Sequence, residues 1–186
     1  MAELPLGLAS LQRELAAGRK LPPIETWTPA HRGEIDIRIA RDGTWFHQGT
    51  PIVRPELVRL FSTILRKEGE NFYLVTPGEK MRIRVEDAPF LAVLLDVHGS
   101  GRDQHLSFTT NVGDQVVAGA DHRIRVDEQT DKLPLPYVHI RSGLEARIGR
   151  SVFYQLAEIA VAGSGEFDDQ LGVWSSGLFF PLGAAA

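Results

Sequence analysis

From Gly33 the chain alternates strictly. Ile35, Ile37 and Ile39 are separated by Asp36 and Arg38, and Asp42-Gly43 supplies a tight-turn dipeptide just ahead of Trp45. Successive side chains of an extended strand point to opposite faces, so this pattern buries one face and wets the other, and the Asp-Gly pair folds it into a hairpin. The pattern returns in residues 72–85, where Pro77-Gly78 makes the turn and Met81, Ile83 and Val85 alternate with Arg82, Arg84 and Glu86. Between the two, Pro51 ends the first hairpin and Pro55 occupies a first-turn helix position. Leu57, Val58, Phe61, Ile64 and Leu65 follow at helical spacing. A helix set among hairpins is a mixed α+β pattern.

On the N-terminal side, Leu4, Leu8, Leu11 and Leu15 predict an amphipathic helix over residues ~6–17 that stops at Gly18. A proline-rich connector, residues 20–27, follows, with Trp27 expected to pin it to the body. After Pro89 the chain turns to short strands: residues 90–97, 104–110, 115–118, a piece around Ile124, 137–141 and 144–148. Gly99-Ser-Gly101, Asn111-Val-Gly113 and a polar loop at 127–132 separate them, the spacing of a curved antiparallel sheet or open barrel. A capping helix is expected next, with Ser151 as N-cap and Val152, Leu156, Ile159 and Ala160 on one face, running to Gly163-Ser-Gly165. The resulting division is residues 1–26 as helix and linker, 27–88 as an α+β half, and 89–186 as a β-rich half with its helix and tail.

Composition sets the chemistry that such a chain can hold. Its 186 residues carry a net charge of −4 and no cysteine, which excludes disulfides, thiolate metal sites and a cysteine nucleophile. The acidic balance argues against a nucleic-acid polymer as partner. Sixteen of the 20 basic residues are arginine, a ratio that a GC-rich genome explains without function. No basic leader opens the chain and the longest uncharged apolar stretch is only residues 88–95, so a cytoplasmic protein without a membrane segment is expected. The phosphate-loop, dinucleotide, nucleophile-elbow and zincin motifs are all missing from the sequence, so no cofactor is expected.

Two constellations carry chemistry. Asp96-x-His98 and Asp103-x-His105 flank a turn, and one hairpin face holding all four would suit a divalent metal. The more extensive constellation is the alternation of residues 79–86, which sends Lys80, Arg82, Arg84 and Glu86 to one face; residues 141–150 offer Arg141, Glu145, Arg147 and Arg150. Arginine's fork suits phosphate and carboxylate, so these faces either form an anionic-ligand cleft or pair with Glu79, Glu86, Asp87 and Glu145 as structural ion pairs. In the ligand arrangement Thr76 donates a hydroxyl, Glu79 accepts or orients, Lys80 and Glu145 complete the charged faces, Arg82, Arg141 and Arg150 hold phosphate, and Tyr137 or Tyr154 stacks on a ring. A second reading makes the barrel or the aromatic tail, Trp174, Phe179 and Phe180, an anchor for a partner chain. A third uses Glu79 and Glu145, or the two histidines, as an enzyme site.

The sequence also echoes itself. Residues 73–83 and 137–148 each show an aromatic-led strand, a glycine turn and a return strand ending in Arg-Ile, and Gly172-Val-Trp resembles Gly43-Thr-Trp. Trp27-x-Pro29, Asp42-Gly-x-Trp45, Gly49-x-Pro51-Ile52-x-Arg54, Leu74-Val-Thr-Pro77-x-Glu79-Lys80, Val85-Glu-Asp-Ala-Pro-Phe90, Pro136-Tyr137-x-x-x-Arg141-x-x-Leu144-Glu145-Ala146 and Arg150-x-Val-Phe-Tyr154 together resemble the bacterial family called domain of unknown function 1285. The resemblance implies a duplicated core of two related halves, a C-terminal half like a pleckstrin-homology barrel, a nucleotide-like ligand at the interface of the halves, and a part in signal transduction. It brings no enzymatic activity.

Overall fold

The computed structural model describes residues 21–127 and 134–184; the helix expected at 6–17 and most of the 127–132 loop lie outside them. Two compact units divide at Asp87 and Ala88.

In the first unit, β1 (His31–Ile39), β2 (Trp45–His47) and β3 (Thr50–Pro51) form one meander and β4 (Leu65–Glu68), β5 (Asn71–Val75) and β6 (Glu79–Val85) a second. They join through a parallel β1/β6 pair into a six-stranded sheet of order β3-β2-β1-β6-β5-β4. The Asp42-Gly43 turn closes as expected: Gly43 takes φ 83°, and the Thr44 N–H donates to Asp42 at 2.9 Å. That N–H holds the Asp42 carboxyl below its usual value. Helix α1 (Pro55–Thr63) lies between the meanders and buries Leu60 and Phe61, with Phe61 stacked on Trp45. Trp45, Ile37, Ile39, Leu74 and Ile83 complete this core. The connector is pinned from the sheet side, since Arg66 donates to the carbonyls of Ile24 and Trp27 at 3.0 Å each.

The second unit repeats the plan. Strands β7 (Phe90–His98), β8 (His105–Thr110) and β9 (Gln115–Val117), then β10 (Ile124–Asp127), β11 (Leu135–Arg141) and β12 (Leu144–Ile148), form a curled sheet of order β10-β11-β12-β7-β8-β9, antiparallel except for β7/β12. Read from the other edge, that order matches the first sheet strand for strand. The halves are therefore related, and the echo of residues 73–83 with 137–148 falls on equivalent hairpins, β5/β6 and β11/β12. The helix has moved: α2 (Arg150–Glu158) follows β12 and buries Val152 and Leu156.

Four local expectations are corrected. Gly149, extended and tied by its N–H to the Ala92 carbonyl, precedes α2, so Ser151 lies inside the first turn and caps nothing. The helix stops at Glu158 because β13 (Val161–Ala162) is claimed by strand pairing. The helix after Pro55 ends at Thr63, and Leu65 opens β4, a strand whose Leu-Arg-Lys-Glu shows no alternation. The tail, finally, is a hairpin of β14 (Gln170–Ser175) and β15 (Leu178–Ala184), which with β13 makes a third sheet outside the duplicated plan. The Gly172/Gly43 echo therefore has no counterpart in the topology. Ser176 and Gly177, at φ 52° and 76°, form the hairpin turn. No helix among the described residues is long and apolar enough to cross a membrane.

Candidate functional site

The charged face of β6 is a lattice of opposite charges. Register sets Arg82 against Glu34 of β1, with 3.5 Å between the charged groups, and Arg84 reaches Asp36 at 3.1 Å. Arg38 reaches Glu86 at 2.5 Å. Lys80, placed by alternation beside Arg82, is only 8% exposed; its ammonium lies 4.2 Å over the Tyr73 ring and pairs with Glu68, which also takes Arg66 at 2.6 Å. The Lys80 hydrogen bond holds the Glu68 carboxyl below its usual value. Thr76 is wholly buried and closes the β5/β6 turn: its backbone N–H donates to the Glu79 carbonyl at 2.8 Å, and its hydroxyl accepts from the Glu79 N–H at 3.2 Å. Glu79 begins β6 beside that turn.

The second unit carries an equivalent rung. Cα register places Tyr73 between Arg66 and Arg82, and Tyr137 between Arg125 and Arg147. Arg125 lies 4.2 Å over the buried Tyr137 ring, forks onto Glu145 at 2.7 and 2.6 Å, and also pairs with Asp127. Arg141 reaches Asp114 at 2.5 Å and lies 5.0 Å over the Phe90 ring. Arg150 and Tyr154 are exposed one turn apart on α2, Tyr154 at 58%. The nominated residues are thus Thr76, Glu79, Lys80 and Arg82 in one unit, and Tyr137, Arg141, Glu145, Arg150 and Tyr154 in the other.

The histidine hairpin is less convergent than its spacing suggests. His98 stands opposite His105, but Asp96 stands opposite Ser107, and Asp103 belongs to the 101–103 turn. His105 instead meets the Ser176 hydroxyl at 3.2 Å. Among the described residues no three His, Cys, Asp or Glu side chains gather to hold a metal.

Sequence reasoning missed a cleft of about 920 Å³ within the second unit, between β10 and the tail hairpin. Arg123 and Arg125 of the β10 segment, Trp174, Phe179 and the run of β15, Arg102 and residues of the 164–169 turn line it. Arg102 lies 4.4 Å over the Trp174 ring, and Phe179 contacts both Trp174 and Phe167, at 5.2 and 5.1 Å between centroids. These aromatics are half-exposed, as in a ligand wall. Arg102 and Arg123 have no carboxylate within ion-pair distance among the described residues, in contrast to Arg125. The tail is built into this wall. Gln104 donates to the Trp174 carbonyl at 2.8 Å, and the fully buried Ser175 hydroxyl accepts from the Leu106 N–H at 3.0 Å and donates to the Ala118 carbonyl at 2.7 Å. The aromatic tail was visible in the sequence, but the two arginines lie far apart along it with no motif around either.

The model of the N-terminal domain of a family of unknown function, DUF1285, matches residues 22–88, and that of its C-terminal domain matches residues 89–182. The chain belongs to the DUF1285 family. It is 50% identical to a DUF1285 family protein from Silicibacter pomeroyi DSS-3 whose crystal structure superposes with a TM-score of 0.84 over 97% of each chain. A second crystal structure, of a DUF1285 family protein from Shewanella baltica OS155, is 26% identical with a TM-score of 0.52, over 71% of this chain and 94% of that one. No curated protein matches the chain.

Proposed function

We propose that this DUF1285 chain is a non-enzymatic binding protein for a small anionic or nucleotide-like ligand, acting in signal transduction, and that the cleft of its C-terminal unit receives the ligand. One observation carries the reading: Arg102 and Arg123 line a ligand-sized cleft without carboxylate partners, beside a half-exposed aromatic wall. The sheet-face cations Lys80, Arg82 and Arg141 serve an anion less well, because each already has a carboxylate neighbour.

The test is a thermal-shift and calorimetric screen of phosphate, pyrophosphate, ATP and GTP at fixed ionic strength. A ligand at 100 times its Kd adds about 2.7 kcal/mol of stability and raises Tm. The double variant Arg102→Ala/Arg123→Ala loses that shift. If no anion raises Tm beyond matched sodium chloride, or if the double variant binds as well as wild type, the cleft is not the site.

Docking of a partner on the Trp174–Phe180 tail has less support, since the hairpin is tied at its tip to residues 102–106 and 118 of its own unit.

A further inference from the structure

The same cleft also carries negative charge. Glu166 and Asp169 line it from the 164–169 turn, and neither has a cation within ion-pair distance among the described residues. Besides the paired Arg125, two guanidiniums and two carboxylates without ion-pair partners therefore line one cleft of about 920 Å³, a volume whose cube root, roughly 10 Å, is close to the Debye length of ~8 Å at physiological salt. Charges this close act on one ligand together. A bare anion drawn in by Arg102 and Arg123 meets the repulsion of the carboxylates, whereas a ligand whose other end is positive turns that repulsion into attraction. The aromatic wall of the cleft suits such an end. Phe167, in the same turn as Glu166, packs on Phe179, which packs on Trp174, and the Trp174 face already holds the guanidinium of Arg102. Aromatic faces next to carboxylates are what ammonium and quaternary ammonium groups bind.

We infer that the ligand is a zwitterion, with a phosphate or carboxylate held by Arg102 and Arg123 and an ammonium group held by Glu166, Asp169 and the Phe167–Phe179 pair of the wall. This rests on the proposal above that the cleft is an anion site.

The experiment titrates wild-type protein with phosphocholine, phosphate and choline, and with glycine betaine and acetate, by calorimetry and by tryptophan fluorescence, since Trp174 forms part of the wall. Each zwitterion is expected to bind at least tenfold tighter than its matched anion. Glu166→Gln/Asp169→Asn erases that advantage without weakening phosphate, and Arg102→Ala/Arg123→Ala weakens both. Phosphate binding with no gain from the choline group overturns the zwitterion and leaves the anion site standing; choline binding tighter than phosphocholine, or no binding by any probe, overturns both. A further arm separates the sources of the chemistry. A free metabolite is expected to leave the protein unbound to phosphatidylcholine vesicles, while sedimentation with vesicles that free phosphocholine reverses supports the zwitterion as a lipid headgroup.

Discussion

Arg125 donates two parallel hydrogen bonds to Glu145, at 2.7 Å from Nε and 2.6 Å from Nη2, while its guanidinium carbon lies 4.2 Å over the Tyr137 ring. The bond to Glu145 holds the guanidinium more basic than usual, against the opposing effect of burial. Lysine cannot make two parallel bonds and stack at once. Arg125→Lys is therefore expected to lose about 1 kcal/mol in urea unfolding, nearly the same as Glu145→Gln, and the double variant to lose less than the sum. Fully additive losses would mean that the pair contributes nothing as a pair.

Lys80 and Glu68 form another ring-backed pair, and the two halves of it differ in consequence. The Lys80 side chain is 9% exposed and that of Glu68 40%. Glu68→Gln leaves a buried ammonium without its counter-ion and is expected to cost about 3 kcal/mol at pH 7, whereas Lys80→Met fills the space over Tyr73 and stays within about 1 kcal/mol of wild type. Because the folded-state Glu68 carboxyl titrates below its ordinary value of 4.5, its contribution is present above that pH and is lost as pH falls through and below it. Unfolding curves at pH 7 and pH 3 are expected to show wild type's advantage over Glu68→Gln shrinking in acid.

Ser175 is the joint between the third sheet and the curled sheet. Ser175→Ala strands the buried Leu106 N–H, while the Ala118 carbonyl keeps the Ser176 hydroxyl, an expected cost of about 2 kcal/mol measured by thermal or urea unfolding. Deleting the chain after Gly165 removes this joint together with the buried Val173, Phe180 and Leu182. The truncated protein is expected to lose the dispersed amide spectrum of its C-terminal unit. A folded, dispersed truncate would show the hairpin to be an appendage.

Gly172 allows the cleft wall to close. A Cβ there would stand 2.4 Å from the Phe180 carbonyl oxygen and 2.6 Å from the Phe179 ring, so Gly172→Ala must push back the strand that carries Phe179. A cost of about 1–3 kcal/mol and loss of ligand-induced tryptophan fluorescence change are expected. Gly78→Ala, in the β5/β6 turn of the first unit, has nothing within 4 Å of the added carbon and serves as the silent control.

Much of the fold was legible where the determinant is local. The Ile35-Ile37-Ile39 alternation, the Asp42-Gly43 turn and Pro55 at a helix start all act within a few residues, and each stands where expected. The errors fall where a pairing strand overruled the local signal. β4 exists because β5 offers it a ladder, and the last helix is cut short because β14 pairs with Val161 and Ala162. The charged faces were legible as faces. Which carboxylate each cation meets was not, since Arg38 and Glu86 are 48 residues apart and only the parallel β1/β6 pairing brings their strands side by side.

The amino-acid sequence by itself determined which side of each strand is apolar, where the chain turns and that two hairpins echo each other, because side-chain alternation and turn preference are properties of neighbouring residues. Only the tertiary structure decided that both six-stranded sheets close through a parallel pair of their first and last strands, and that Arg102, Arg123, Glu166 and Trp174 line one cleft. Those juxtapositions depend on which buried faces find each other across long loops, a choice made by packing and by strand-edge hydrogen bonding rather than by any run of residues.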